Sequence, residues 1–229
     1  MSHFGCTKPV AIAEYFAEAT RKRLGDVLDG RPSLEKAQAL LFLAFHEYTD
    51  LQGAKGWFKF GTAIRMVQNL GYQHDESRKD NNVFNNNEER AQREAFIDRE
   101  VQRRTLWSCF IMDRLASCGK RRPLGLNVAD LDEIQLPCSD IAFIRGIKVR
   151  TRHLGETDQD YANRRKRANN SWAHPYGHTN GSRQDEHEST ETNGVEWEVG
   201  AKEGELSLYI QAVNHFGNVM KWSINTSRR

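Results

Sequence analysis

The sequence has no long apolar run, a low overall content of apolar residues and almost no net charge. Hydrophobic residues make up 38% of the 229 positions, below the ~45–50% that is usual for a soluble globular chain. No stretch approaches the ~18 consecutive apolar residues of a membrane-spanning helix. The N-terminus also lacks the basic segment and apolar run of a secretory signal. The net charge of +2 gives no overall attraction to nucleic acid or to an anionic membrane. We therefore expect no membrane partner.

Cysteine is scarce and dispersed. The four cysteines contain no CxxC pair, so the sequence lacks the closely spaced ligands of common zinc modules. Their positions are Cys6, Cys109, Cys118 and Cys138. Cys109 lies within an apolar run that would bury its thiol and raise its pKa. We expect buried, reduced thiols.

The motifs of common enzymes are absent as well. The sequence contains no GxSxG elbow, no HExxH zinc motif and no glycine-rich phosphate loop. His174 and His178 are four residues apart, but Pro175 and Gly177 between them argue against the helix that would bring their rings together. We expect no catalytic residue, no metal site and no cofactor.

What the sequence does contain is helical periodicity. Pro9 can open a first helix, which Gly30 and Pro32 end. Ser33 is a plausible N-cap of a second helix, and a third follows Gly53 and is expected to end at Gly71. Apolar residues recur at steps of three and four in each of them. Their short connections favour antiparallel packing of neighbouring helices.

A fourth helix has an unusual distribution of apolar residues. In "RRTLWSCFIMDRLASCGKRRP", residues 103–123, apolar side chains point to every side of the helix, which predicts a segment surrounded by protein. Glu100 and Arg104 are spaced as an ion pair. Asp113 and Arg114 are adjacent and do not face each other on a helix. We expect each to find its own partner elsewhere, with the long Arg114 side chain reaching solvent.

The composition divides the chain into three parts. Residues 9–140 form the predicted helical core, and residues 150–204, which are polar and poor in aliphatic side chains, are expected to be a flexible and mostly disordered insertion. Apolar periodicity returns in residues 205–225, a terminal helix expected to pack on the core. The predicted fold class is all-α, an irregular multi-helix bundle with a long insertion.

Several motifs occur together in a characteristic order. They are "GWFKFGTAIRM" from Gly56 to Met66, "RRTLWSCFIMDR" from Arg103 to Arg114, and the later pairs Arg122-Pro123 and Leu136-Pro137. In this order and spacing they resemble the regulatory middle region of fungal-specific transcription factors of the xylanolytic transcriptional activator type. The resemblance covers roughly residues 10–140 and the helix from 205.

The resemblance implies an all-helical domain that regulates transcription in the nucleus. Its members usually follow an N-terminal zinc binuclear cluster that reads DNA. The six clustered cysteines of that module are missing here, so we assign neither zinc nor sequence-specific DNA contact to any residue. The implied partners are the transcription machinery or regulatory proteins, a small-molecule effector and a second copy of the chain. The alternative is a stand-alone helical module that binds a ligand or partner without a role in transcription.

Three sets of residues are candidates for function. The first is a structural hub on the central helix: Arg103, Arg104, Trp107, Phe110, Asp113 and Arg114. The second is a candidate effector pocket between helices: Trp57, Phe60, Arg65 and Arg114. The third is a basic run that suits nuclear import: Arg164, Arg165, Lys166 and Arg167.

Overall fold

The computed structural model describes residues 9–74, 88–118, 122–170 and 196–226. These ranges contain eight α-helices and two short strands, which agrees with the predicted all-α class. The helices are α1 Pro9–Lys22, α2 Leu24–Asp29, α3 Leu34–Thr49, α4 Gly53–Asn69, α5 Glu88–Ala116, α6 Asp140–Arg145, α7 Asp158–Asn170 and α8 Glu205–Thr226. The strands β1 Val149–Arg150 and β2 Glu196–Trp197 pair in parallel. No helix in these ranges combines the length and apolar character needed to cross a membrane.

The predicted helix ends are largely confirmed. Pro9 begins α1, and the hydroxyl of Ser33 accepts a hydrogen bond from the backbone N–H of Lys36 at 3.4 Å, which caps α3. Gly71 follows α4 with a positive φ of 78°, a conformation that glycine adopts without the penalty of a side chain. The first predicted helix is divided instead of continuous, because Arg23 between α1 and α2 leaves the helical conformation.

Four helices enclose the main apolar core. α3 packs on α4, α4 on α5, and α5 on α8, while α1 covers the outer side of α3. The side chains at the centre are buried to 2% exposure or less. They are Leu40, Phe60, Ile64, Leu106, Trp107, Phe110 and Ile210. The central position of α5 agrees with the apolar residues found on all of its sides.

Close packing of α3 and α4 depends on a glycine. A Cβ atom at Gly56 would lie 2.8 Å from the carbonyl oxygen of Ala44 and 3.0 Å from Cβ of Tyr48. The two helices can therefore approach only because Gly56 has no side chain. Nearby, Glu47 is buried and its carboxylate lies 2.6 Å from Nζ of Lys59, an ion pair that joins the same two helices.

The segment expected to be a polar insertion is structured at both ends. Within residues 150–204, the structure places α7 at 158–170 and β2 at 196–197, and Tyr161 is only 2% exposed. The structure thus differs from the expectation over 150–170 and 196–204, because arginine and aromatic side chains pack these residues together in place of aliphatic ones. The expectation for 171–195 lies outside the described residues.

Replacing Gly56 by alanine should destabilise the protein by about 1–3 kcal/mol, because the added methyl group overlaps the α3 backbone. Gly61 of the same helix is the matched control, since a Cβ atom added there would have no heavy atom within 4 Å. Gly61→Ala should stabilise by up to about 1 kcal/mol through its helix propensity. Urea unfolding followed by circular dichroism measures both. Equal effects of the two substitutions would contradict this account of the α3–α4 contact.

Candidate functional site around Trp107

One face of α5 holds the chain that follows it. Glu100, Arg104, Trp107 and Arg114 are separated by four, three and seven residues, so their side chains leave the helix on the same side. Residues 122–143, here called the return segment, contact this face at several levels along the helix.

Trp107 forms the middle level and is fully buried. Its Nε1–H donates to the carbonyl oxygen of Gln135 at 2.9 Å, which satisfies the polar atom of an otherwise apolar side chain. The ring of Phe110 lies against the indole edge to face, with centroids 5.3 Å apart. Trp107 therefore both fills the core and fixes the return segment at Gln135.

Asp113 and Arg114 form the level near the C-terminal end of α5. The carboxylate of Asp113 accepts hydrogen bonds from the backbone N–H groups of Gly125 and Leu126, each at 2.9 Å. Arg114 donates to Asp113 at 2.9 Å and to the carbonyl oxygen of Leu126 at 3.1 Å, and its guanidinium lies 4.3 Å from the centre of the Phe110 ring. The pair thus binds backbone N–H groups through Asp113 and a backbone carbonyl oxygen through Arg114, all at residues 125–126 of the return segment.

This arrangement corrects two expectations. The adjacent residues Asp113 and Arg114 do pair with each other, and Arg114 is 4% exposed instead of reaching solvent. The reason is the length of the arginine side chain. It reaches the Asp113 carboxylate and the carbonyl oxygen of Leu126 at the same time. Burial lowers the pKa of Arg114, and the neighbouring Asp113 carboxylate opposes that shift.

Glu100 forms the level near the middle of α5 and is fully buried. Its carboxylate accepts hydrogen bonds from Arg103 at 2.7 Å, from Arg104 at 3.1 Å and from the backbone N–H of Cys138 at 2.9 Å. The predicted Glu100–Arg104 ion pair is confirmed. Arg104 also donates to the carbonyl oxygen of Cys138 and to Asp140, both at 2.9 Å. Two arginines and one backbone N–H therefore compensate a carboxylate that has no contact with water.

A second layer covers the return segment from outside. The carboxylate oxygens of Glu198 both lie 3.0 Å from the backbone N–H of Ser139, the residue that caps α6. The hydroxyl of Tyr161 donates to the carbonyl oxygen of Glu198 at 2.7 Å. Sequence reasoning missed both residues. The isolated aromatic residues Tyr161 and Trp197 within a polar segment were the available signal.

The basic run at 164–167 is divided between interior and surface. Arg164 donates to both carboxylate oxygens of Glu156 at 2.8 Å, and its guanidinium lies 5.1 Å and 5.2 Å from the ring centres of Tyr161 and Trp197. Lys166 and Arg167 are exposed. Arg164 therefore has a structural role in the layer around Tyr161, and nuclear import through this run stays a prediction.

The four residues of the candidate effector pocket lie in different surroundings. Arg65 is exposed and donates to Gln68 of its own helix at 2.8 Å, whereas Arg114 is buried at the Asp113 level. Trp57 donates to the hydroxyl of Ser117 at 3.3 Å, and Phe60 is a core residue. The contacts made by these side chains are structural, and binding of an effector here stays a prediction.

Two of the three described cysteines are buried, as the sequence predicts. Cys109 and Cys138 are buried, and burial raises the pKa of the Cys109 thiol to about 12. Cys118 is half-buried, and Cys6 lies outside the described residues. Within the described ranges, no three potential ligands from His, Cys, Asp and Glu group together as a metal site. His174 and His178 lie outside those ranges.

Comparison with known proteins identifies the family. A family model described as the fungal specific transcription factor domain matches residues 13–171, which is most of the chain. The chain belongs to this family. The match includes α5 and the entire return segment, so the contacts around Trp107 lie within the family domain.

Individual relatives agree with this assignment. The chain is 33% identical over 152 residues to an uncharacterized transcriptional regulatory protein of Schizosaccharomyces pombe, covering 66% of this chain and 15% of that protein. It is 36% identical over 123 residues to the Zn(2)-C6 fungal-type transcription factor FTF1c of Fusarium oxysporum f. sp. lycopersici, covering 54% of this chain and 13% of that protein. The aligned regions thus span only a small part of these relatives. No solved structure matches the chain.

Asp113→Asn should destabilise the protein by about 3–5 kcal/mol, because it leaves the buried Arg114 without its charge partner. Asp132→Asn is the matched control, since Asp132 is exposed in the same return segment. It should change stability by less than about 0.5 kcal/mol. Chemical unfolding of both variants beside the unchanged protein provides the measurement. A small effect of Asp113→Asn would show that the pair does not hold the return segment.

The stability of the protein should depend on pH because the buried carboxyl group of Glu198 has a raised pKa. Burial raises the pKa of this carboxyl above its ordinary value of 4.5, and the nearby carboxylate of Glu100 acts in the same direction. The folded protein then holds a proton that the unfolded chain has released, so stability falls as the pH rises from 4.5 through the folded pKa. Glu198→Gln cannot ionise and should lack this decline.

The comparison requires unfolding curves at several pH values for the unchanged protein and for Glu198→Gln. Glu196→Gln is the control, because Glu196 is exposed two residues away and pairs with Lys202. As the pH rises, the free energy of unfolding of the unchanged protein should fall relative to that of Glu198→Gln. A difference that is constant with pH would be evidence against a raised Glu198 pKa.

Proposed function

We propose that this chain acts in the nucleus as a regulatory domain that controls DNA-templated transcription through contacts with other proteins. The observation that carries the proposal is the family match over residues 13–171. The relatives in Schizosaccharomyces pombe and Fusarium oxysporum are transcriptional regulatory proteins and transcription factors, which favours this role over that of a stand-alone binding module. The natural partners of such a domain are the transcription machinery or proteins that regulate it.

The contacts around Trp107 support a role in contact instead of in chemistry. The charged groups of the site, Glu100, Asp113 and Arg114, are each compensated by neighbours within the chain. Enzymes instead direct such groups at a substrate. Cys109, the nucleophile nearest to the centre, is buried and has a raised pKa, which suppresses the reactive thiolate. We therefore propose no catalytic role for this chain.

The proposed mechanism uses the return segment as the regulated element. One side of this segment is fixed to α5 through Gln135 and the backbone at residues 125–126, and its other side is covered by Glu198. A partner that binds the layer formed by Tyr161 and Glu198 would therefore act on a segment that is hydrogen-bonded to α5 on its inner side. We propose no zinc ligand and no base-reading residue in this chain.

A reporter assay tests the proposal. The 229-residue chain is fused to an unrelated DNA-binding module in yeast, and transcription is measured from a basal reporter and from an activated one. The fusion should change the output of at least one reporter relative to the module alone. Asp113→Asn should abolish the change because it releases the return segment, while Asp132→Asn should keep it.

Nuclear fluorescence and protein level are measured for every fusion, so that loss of protein is distinguished from loss of regulation. Output equal to that of the DNA-binding module alone on both reporters, with the fusion present in the nucleus, would refute the proposed function.

A further inference from the structure

The short helix α6 has an apolar face that points away from the interior. Its inner residues Ala142 and Phe143 pack in a small apolar cluster with Phe96 of α5. Ile141 and Ile144 leave α6 on the other side and are 66% and 79% exposed. A single exposed isoleucine needs no explanation, whereas two neighbours on one helix face form an apolar surface.

The chain that follows α6 extends this surface. Gly146 ends the helix in the left-handed conformation, with a φ of 62°. The chain then turns, and the backbone N–H of Ile147 donates to the carbonyl oxygen of Ala142 at 2.9 Å. Ile147 is 38% exposed. A third isoleucine therefore lies partly exposed beside the end of α6.

Three cations border the isoleucines. Arg145 is exposed and leaves α6 on the same side as Ile141, four residues before it, and Lys148 follows the turn. Arg93 of α5 reaches the same place, because a Cβ atom at Gly146 would overlap Cγ of Arg93 and lie 2.9 Å from its Cδ. The cations and isoleucines together are here called the α6 patch: Arg93, Ile141, Ile144, Arg145, Ile147 and Lys148.

The α6 patch carries positive charge that its surroundings do not cancel. Within the described ranges, its three cations form no salt bridge. The acidic residues next to it in the chain already have partners, since Asp140 binds Arg104 at 2.9 Å and Glu94 binds Arg90 at 2.9 Å. Residues 141–150 contain three basic residues and no acidic one. The α6 patch therefore attracts negative charge.

Contacts within the chain hold the α6 patch in place before any partner binds. The hydroxyl of Ser139 caps α6 by accepting from the backbone N–H of Ala142 at 3.3 Å, and the backbone N–H of Ser139 donates to Glu198 at 3.0 Å. The guanidinium of Arg104 lies 4.4 Å from the centre of the Phe143 ring. A surface that is already ordered loses little entropy when a partner binds.

Exposed isoleucines beside unpaired cations indicate the chemistry of the occupant. Nucleic acids are bound mainly through their phosphates, which would satisfy the cations and leave the isoleucines uncovered. A neutral apolar segment would cover the isoleucines and remove the cations from water without a counter-charge. A protein segment with both carboxylates and apolar side chains satisfies both parts of the α6 patch.

We propose that the α6 patch binds a short acidic segment of another protein, with its apolar side chains on the isoleucines and its carboxylates on the three cations. This inference goes beyond the proposed function and does not rest on it, since such a segment can bind whether or not the chain regulates transcription. The patch is smaller than a standard interface, so we expect a weak complex with a Kd on the order of 100 µM.

A labelled peptide tests the proposal. The probe has about 15 residues, with leucine at helical spacing and glutamate at the other positions. Two control peptides each keep one property, because lysine replaces glutamate in the first and serine replaces leucine in the second. Fluorescence anisotropy measures binding of each peptide to the 229-residue protein. Only the acidic apolar probe should bind, and added salt should weaken it by screening the charges.

Three variants locate the binding surface. Arg145→Glu combined with Lys148→Glu should weaken binding of the probe about tenfold or more, because like charges then meet. Ile144→Ser should weaken it about threefold or more, because it removes an exposed apolar contact. Arg31→Glu combined with Lys55→Glu is the matched control, since both cations are exposed before and in α4 and the net charge changes equally. Circular dichroism verifies that each variant keeps its helices.

Binding that both patch variants weaken and the matched control keeps would support the proposal. Equal binding of the acidic serine peptide, or binding that Ile144→Ser leaves unchanged, would overturn it, because the patch would then recognise charge alone. A labelled DNA duplex that binds more tightly than the probe, through the same cations and regardless of Ile144→Ser, would assign the patch to nucleic acid instead. No binding of the probe at protein concentrations up to about 1 mM would also overturn the proposal.

Discussion

Pairing of Asp113 with Arg114 is the interaction on which the rest of the domain depends. The two charges lie in the interior, where each would be costly alone, and together they bind the backbone at Gly125 and Leu126. The chain leaving α5 is thereby forced to reverse and run back along the same helix. Trp107 and Glu100 then hold the later part of the return segment in register. The conspicuous residues of α5, Trp107, Asp113 and Arg114, therefore share one task, which is to bind the return segment.

The helical core could be predicted because its signals are local. Apolar periodicity, the Ser33 cap and Gly71 act within one or two turns, and the structure has helices and ends where they indicate. The burial of α5 followed from apolar side chains on all of its sides. The partners of Asp113 could not be found in this way, because the backbone N–H groups that bind it have no sequence signature.

The segment around Tyr161 escaped prediction for a different physical reason. Its stability comes from arginines stacked on aromatic rings and from ion pairs, as with Arg164 between Tyr161, Trp197 and Glu156. Such contacts lack the periodicity of an aliphatic face, and a polar composition then resembles that of an unfolded segment. The same reasoning explains why Arg164 was read as part of a basic run.

The short parallel pairing of β1 with β2 has a consequence for how this domain can vary. Val149 and Arg150 lie beside Glu196 and Trp197, so the long stretch of chain between the strands starts and finishes at one place. The entropy of closing a loop rises only slowly with its length. Homologous chains could therefore gain or lose residues between α7 and β2 while the strand pairing and the contacts of Tyr161 and Arg164 in α7 are kept. A change of length within α7 itself would remove those contacts, so the place where lineages can diverge lies after this helix.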